Sequence, residues 1–223
     1  MGSHAVNYFE IGSSEGPFCC LDCVKHCKFR KGPDHSSRYA QLGLQFPIQC
    51  TLKDGFTVQL SLADERNIEP LKTFYRVIVE EGNSYPHDRV PDHDEFMDYW
   101  FHGKRTVVAY VPDRKRATEM ADAFYLKPNW PGRAGHVANA GFIVAPKWRS
   151  KGLGRLLGET MLNYGKRLGY RSVIFNLVFS ENLGARRLWE QLGFRQLGVI
   201  PCAVRKDDGT YQDAIIMFLS LES

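Results

Sequence analysis

The chain has 223 residues, 43% of them hydrophobic and 13% aromatic, which is enough to bury one substantial core. Its 29 basic against 25 acidic side chains leave a formal charge of +4, too mild an excess for a dedicated nucleic-acid binder yet compatible with a polyanionic ligand. No apolar run has the length needed to cross a bilayer, and the opening residues lack a basic region followed by an apolar core, so a cytoplasmic protein with no nucleic-acid or membrane partner is expected.

Residues 1–50 carry glycines, prolines and cysteines without a sustained period and read as an irregular, cysteine-rich arm. Cys19, Cys20, Cys23 and Cys27 crowd together there, with His26 adjacent and His35 nearby. The two-residue gap between Cys20 and Cys23 lets both thiolates reach one tetrahedral zinc, which Cys27 and His26 or His35 would complete. A second pair at regular spacing is missing. The competing reading is therefore a set of reduced thiols in a loosely packed or partner-docking segment, and disulfides fit least without a secretion signal.

The core begins after the arm. Phe56 to Leu60 alternates like a half-buried strand, and Glu65 to Glu81 is a helix candidate with Ile68, Leu71, Tyr75, Ile78 and Val79 on one face and a stop at Gly82 and Asn83. A proline-broken loop then leads to a short helix over Phe96, Met97, Trp100 and Phe101, whose aromatics read either as core or as the lining of a substrate mouth. Thr106 to Val111 and Ala121 to Leu126 form a predicted hairpin, and a strand follows from Asn139 to Ala145.

The segment Trp148 to Arg155, WRSKGLGR, is the most informative. It follows the apolar run Gly141 to Ala145 and precedes Leu153, Leu156, Leu157, Met161, Tyr164 and Leu168, one buried helical stripe. Strand, loop and helix in that order present a helix N-terminus, whose free N–H groups and dipole stabilise an anion, while Gly152 and Gly154 admit a phosphate close to the backbone. The Gly-Lys-Ser/Thr ending of a nucleoside-triphosphate loop is absent. Leu157 stands where the dinucleotide pattern GxGxxG needs its third glycine. Ser172 to Phe179 then reads as a central strand covered on both faces, within which Asn176 must have a hydrogen-bonding task if buried. Asn182 can cap a helix carrying Leu188, Trp189 and Leu192, which Gly193 ends. Two last strands, near Arg195 to Val199 and Ala214 to Leu219, flank a turn at Asp208 and Gly209.

The spacing Arg149, two residues, Gly152, one residue, Gly154 resembles the signature Q/R-x-x-G-x-G/A of the GCN5-related N-acetyltransferase (GNAT) superfamily. Asn182 to Phe194, NLGARRLWEQLGF, resembles its pattern N-x-x-A-x-x-L-Y-x-x-x-G-F. The resemblance covers residues 56–220 and implies an α/β GNAT domain: a mixed, mainly antiparallel central sheet with two splayed strands and helices on both faces. It also implies acetyl-CoA as cofactor, with its pyrophosphate on the loop. Arg149, Ser150, Lys151, Gly152, Leu153, Gly154 and Arg155 are then cofactor-binding candidates, together with Asn182 and Trp189. Phe124 to Phe142, FYLKPNWPGRAGHVANAGF, and Ile174 to Phe179, IFNLVF, are similar to fungal members that acetylate the proline analogues azetidine-2-carboxylate and hydroxyproline. That resemblance assigns substrate recognition to Asn139, a catalytic role to Asn176 and cofactor contact to Asn182.

The implied function is acetyl-CoA-dependent N-acetylation of a small amino or imino acid by direct attack of the amine on the thioester. The oxyanion then needs preorganised donors, which the main chain of Phe142, Ile143 and Val144 supplies where that strand splays. The amine must lose a proton, and His136 is the imidazole near the expected site. Arg133 is the candidate for the substrate carboxylate. One departure stands out: Trp189 occupies the place where many members carry a tyrosine to protonate the leaving thiolate, and indole is no practical acid near neutrality. Two alternatives stay open. One is a protein or peptide N-acetyltransferase acting on lysine or an N-terminal amine; the other is a non-catalytic CoA-binding regulatory module with a zinc-ordered arm. A homodimer is compatible with each.

Overall fold

The computed structural model describes residues 45–52, 55–113 and 116–222, so the Cys20, Cys23, Cys27 and His35 set lies outside the described residues. Eight strands form one sheet: β1 (Ile48–Thr51), β2 (Thr57–Leu62), β3 (Arg105–Asp113), β4 (Arg116–Pro128), β5 (Val137–Val144), β6 (Ser172–Phe179), β7 (Arg195–Arg205) and β8 (Tyr211–Ser220). The spatial order is β1-β2-β3-β4-β5-β6-β8-β7. Among the described residues four α-helices pack on it: α1 (Ile68–Glu80), α2 (His93–Trp100), α3 (Leu153–Arg167) and α4 (Leu183–Gln191).

Every neighbouring pair of strands is antiparallel except β5 and β6. Those two run parallel and pair only at Val137 with Ser172 and Ala138 with Val173. Beyond that vertex they diverge, and the sheet opens into a V. The expected splay is present, and it begins earlier along β5 than the Phe142 to Val144 stretch.

Two apolar clusters cover the two faces. On one, Leu153, Leu156, Leu157 and Met161 of α3 and Trp189 of α4 pack on Phe124, Leu126, Ala138 and Phe175. On the other, Leu71, Tyr75, Ile78 and Val79 of α1 and Phe96 and Trp100 of α2 pack on Val108, Ala123, Tyr125 and Ile143. Strand alternation sorts the residues of β4 and β5 between these faces. Phe96 and Trp100 are therefore core, whereas Tyr99, on the same helix, contributes to the wall discussed below.

One boundary needs correction. The segment expected to be irregular through residue 50 enters the sheet at Ile48, and β1 pairs with β2 from Ile48–Leu60 to Thr51–Thr57. Four residues with only Ile48 buried are too short for alternation to register in the sequence.

Candidate active site

The loop between β5 and α3 is a cradle built from unusual backbone. Ser150 has φ 61° and Gly152 has φ 84°, two left-handed residues separated by Lys151. Such a turn gathers successive N–H groups into a concavity that suits an anion. A side chain at Gly152 would meet nothing within 4 Å, so the space over this amide is open. Gly152 is also the N-cap of α3 and makes no side-chain cap bond, which leaves the first-turn N–H groups available to a ligand. Helix α4 is the contrast: Asn182 Oδ1 accepts from the Ala185 N–H at 3.1 Å.

The flanking side chains are fixed in place. Lys151 Nζ lies 4.6 Å from the Trp148 ring centroid, a cation–π contact beside the cradle. Arg149 reaches across the mouth, with Nη2 on Glu81 at 2.6 Å and Nε donating to the Val144 carbonyl at 3.3 Å. Arg155 is paired within α3 to Glu159 at 2.9 Å. Leu153 and Ile143 are buried in the core, so only their main chain can serve a ligand. The Trp189 ring is enclosed by Phe142, Phe175 and Phe194, with centroids 4.8, 4.6 and 5.7 Å away.

The open V exposes main-chain groups. Val137 gives its carbonyl to Asn129 and Ala145 its N–H to Ala121, both on the β4 side. Alternation therefore turns the amides of Phe142 and Val144 toward the gap left by β6. The Phe142 carbonyl accepts from the Tyr85 hydroxyl at 3.0 Å, which ties the α1–α2 loop to the opening.

Just past the vertex, on the α1/α2 face, stand three amides. Asn139 Nδ2 donates to Asn129 Oδ1 at 2.7 Å and to Asn176 Oδ1 at 3.3 Å, and Asn176 Nδ2 donates to Asn129 Oδ1 at 3.3 Å. The expected pair Asn139 and Asn176 is thus brought together. Asn129 is the member that the sequence reading missed. A signal existed: in an antiparallel hairpin the residues flanking the connection must meet, and Asn129 N–H indeed bonds the Val137 carbonyl at 2.8 Å.

Next to the amides is an aromatic wall. Tyr99 and Tyr125 lie edge to face at 5.7 Å, Tyr75 and Tyr85 at 5.1 Å, and the His87 ring meets Tyr99 at 4.6 Å. Burial pushes all four tyrosine hydroxyls above their ordinary range, so they stay neutral and serve as hydrogen-bond donors. Burial also holds the His87 imidazole below its ordinary value, and Nδ1 lies 2.7 Å from the Tyr75 hydroxyl. A groove of about 720 Å³ borders this wall at Tyr85 and His87, where Arg89, Leu177, Phe179 and Arg205 also line it, and none of the three amides does. His87 was not singled out in the sequence because the proline-broken loop around it has no period.

His136 is placed differently from the expectation. It precedes the vertex, and its carbonyl accepts from the Arg171 N–H at 2.9 Å on the closed side of the V. Arg171 and Glu222 pair beside it. His136 is exposed, in the turn that leads into β5. Arg133 is exposed in the short turn Gly132–Ala134 between β4 and β5. Among the described residues no cluster of side chains suits a metal, and no helix is long and apolar enough to cross a membrane.

Comparison with known proteins places these features in a family. The acetyltransferase (GNAT) family matches residues 69–194. The chain is 38% identical over 174 residues to N-acetyltransferase aca1 of Schizosaccharomyces pombe, covering 71% of this chain and 83% of that protein. Among solved structures it is similar to a GCN5-related N-acetyltransferase from Kribbella flavida, with TM-score 0.66, 30% identity, and coverage of 73% of this chain and 97% of that one. A GNAT superfamily phosphinothricin acetyltransferase from Sinorhizobium meliloti, solved in complex with AcCoA, shares the fold at TM-score 0.64 and 21% identity, covering 73% of this chain and 88% of that chain.

Proposed function

Because the chain belongs to the GNAT family of acetyltransferases, we propose that the amine it acetylates is that of a small amino or imino acid, a proline analogue among them. The protein is an acetyl-CoA-dependent N-acetyltransferase; the acceptor class is the part inferred here. The observation that carries it is the triad Asn129, Asn139 and Asn176, a compact set of neutral amides at the vertex of the V. Amides can donate to a carboxylate and accept from an amine, which suits a small zwitterion held at both ends.

The cradle fits the diphosphate of acetyl-CoA, since the left-handed Ser150 and Gly152 leave open main-chain N–H groups at an uncapped helix start. When bound, acetyl-CoA supplies an activated acetyl thioester. The rest is the work of the chain. The N–H groups of Lys151 to Gly154 and the α3 dipole bind the diphosphate. The Phe142 and Val144 amides, freed by the splay, present fixed donors where negative charge develops. The amide triad orients the acceptor nitrogen toward them. His87, kept neutral by burial, takes the proton from the amine directly or through water, in place of His136. Because the Tyr85 hydroxyl gives its one proton to the Phe142 carbonyl, the departing thiolate takes its proton from water or from the protonated His87.

The test is turnover on a panel of proline analogues, free amino acids and peptides, with Asn139→Ala beside the wild type. We expect imino-acid turnover in the wild type. In the variant we expect kcat/KM lower by about 10- to 100-fold, the loss of one or two hydrogen bonds to a charged substrate, with acetyl-CoA affinity kept. Turnover of peptides alone would sink the acceptor class.

A further inference from the structure

We propose that Lys127 and the side-chain amide of Asn129 form an anion site that holds the acceptor carboxylate, a role that deepens and rests on the acceptor class given above. Lys127 lies directly opposite Asn139 in the β4–β5 ladder. Directly opposed residues share a face and bring their Cβ atoms to about 5 Å, so the Lys127 side chain starts beside the amide triad. Its Nζ is 6.0 Å from the centroid of the Tyr125 ring, and Lys104 Nζ approaches the same ring at 5.9 Å.

Among the described residues neither ammonium has a carboxylate within ion-pair distance. Lys104 is tied instead to carbonyl oxygens, those of Asp98 and, at 3.3 Å, His102. Burial first and the Lys127 charge second hold the Lys104 ammonium below its ordinary value, against the opposing pull of Asp98.

Asn129 adds a directed donor. Its Oδ1 accepts from both Asn139 and Asn176, and flipping Asn129 alone would set its NH2 against two donors. Its Nδ2 is then buried with no hydrogen-bond partner. A buried amide donor left unpaired is costly, and a ligand acceptor would satisfy it. Asn139 Oδ1 accepts none of the bonds within the triad and faces the other need, that of the acceptor N–H. Cation and donor at one end and an amide oxygen at the other match an amino acid read head and tail. Lys127 thus takes the part that the sequence suggested for Arg133.

The experiment compares azetidine-2-carboxylate with its carboxamide as acceptors for the full chain at saturating acetyl-CoA, and repeats the comparison in Lys127→Met and Lys127→Arg. Binding of the acid in the presence of CoA is followed by calorimetry alongside. The acid-over-carboxamide ratio of kcat/KM should fall by about 10- to 100-fold in Lys127→Met, mainly through KM, and recover in Lys127→Arg. An unchanged ratio in a wild type and variant that both turn over the acid would overturn the anion site and leave the acceptor class standing. A wild type that neither binds nor acetylates the acid or its carboxamide would overturn both.

Discussion

Replacing Gly141 with alanine tests the packing that sets the acceptor wall. Gly141 lies opposite Tyr125 in the β4–β5 ladder. A Cβ there would stand 2.5 Å from Tyr125 Cε1, 2.7 Å from Cζ and 2.8 Å from the hydroxyl oxygen. Ordinary contact begins at 3.4 Å, so the ring must retreat by about 0.9 Å, the difference between 3.4 and 2.5 Å. It has nowhere easy to go, since Trp100 and Tyr99 pack edge to face on it at 5.1 and 5.7 Å. Overpacking of this kind costs about 1–3 kcal/mol, partly offset by the roughly 0.5–1 kcal/mol that alanine gains over glycine in a strand. At about 2–4 °C per kcal/mol for a chain of this size, Tm should fall by several degrees. Urea denaturation gives the free energy directly. Gly198→Ala is the control, because a Cβ there meets nothing within 4 Å and the variant should be neutral or slightly stabilised. Displacement of Tyr125 should also raise KM for the amine while acetyl-CoA affinity stays within about 2-fold. A Gly141→Ala protein as stable as Gly198→Ala would refute the argument.

Two further outcomes concern titration. Asp122 is fully buried with neither carboxylate oxygen bonded, and burial pushes its carboxyl well above its ordinary value of 3.8. The folded chain therefore keeps a proton that the unfolded chain releases, and stability falls by about 1.4 kcal/mol per pH unit as pH rises from that value toward the folded pKa. Asp122→Asn should remove that slope in denaturation curves taken across pH, and parallel profiles for the two proteins would contradict it. His87 is held below its ordinary 6.5 by burial, so a proton acceptor there loses activity only as pH drops below that value. His87→Gln should lower kcat and abolish this acid limb, and a limb that persists in the variant would assign it to another group.

Much of the fold was legible because particular residues force it. The stripe from Leu153 to Leu168 and the glycine at 152, whose φ of 84° disfavours other residues, located the cradle and its helix. Ser172 to Phe179 was recognisable as a central strand from its apolar run, and Asn182 was visible as a cap because its side chain does that work. What escaped depends on contacts between distant segments. Asn129 gains its role only when the hairpin closes on Val137, and Lys127 only when the register sets it opposite Asn139. His87 lies on an aperiodic loop pinned by Tyr85, and no local pattern announces that. His136 was singled out by its nearness in sequence to Asn139, and it lies in the exposed turn before β5.

Central to this activity is the grip of main-chain N–H groups at the start of α3 on a diphosphate. Titration calorimetry with acetyl-CoA and with acetylpantetheine, which has the same thioester arm without the diphosphate, measures that grip in the wild type and in Gly152→Asp. Aspartate is among the side chains least penalised in this left-handed conformation, and it sets a negative charge where the diphosphate would lie. We expect acetyl-CoA to bind the wild type and to lose at least about 10-fold in affinity in the variant, with acetylpantetheine weak and equal in both. No heat with acetyl-CoA, or equal affinity in the two proteins, would contradict the account.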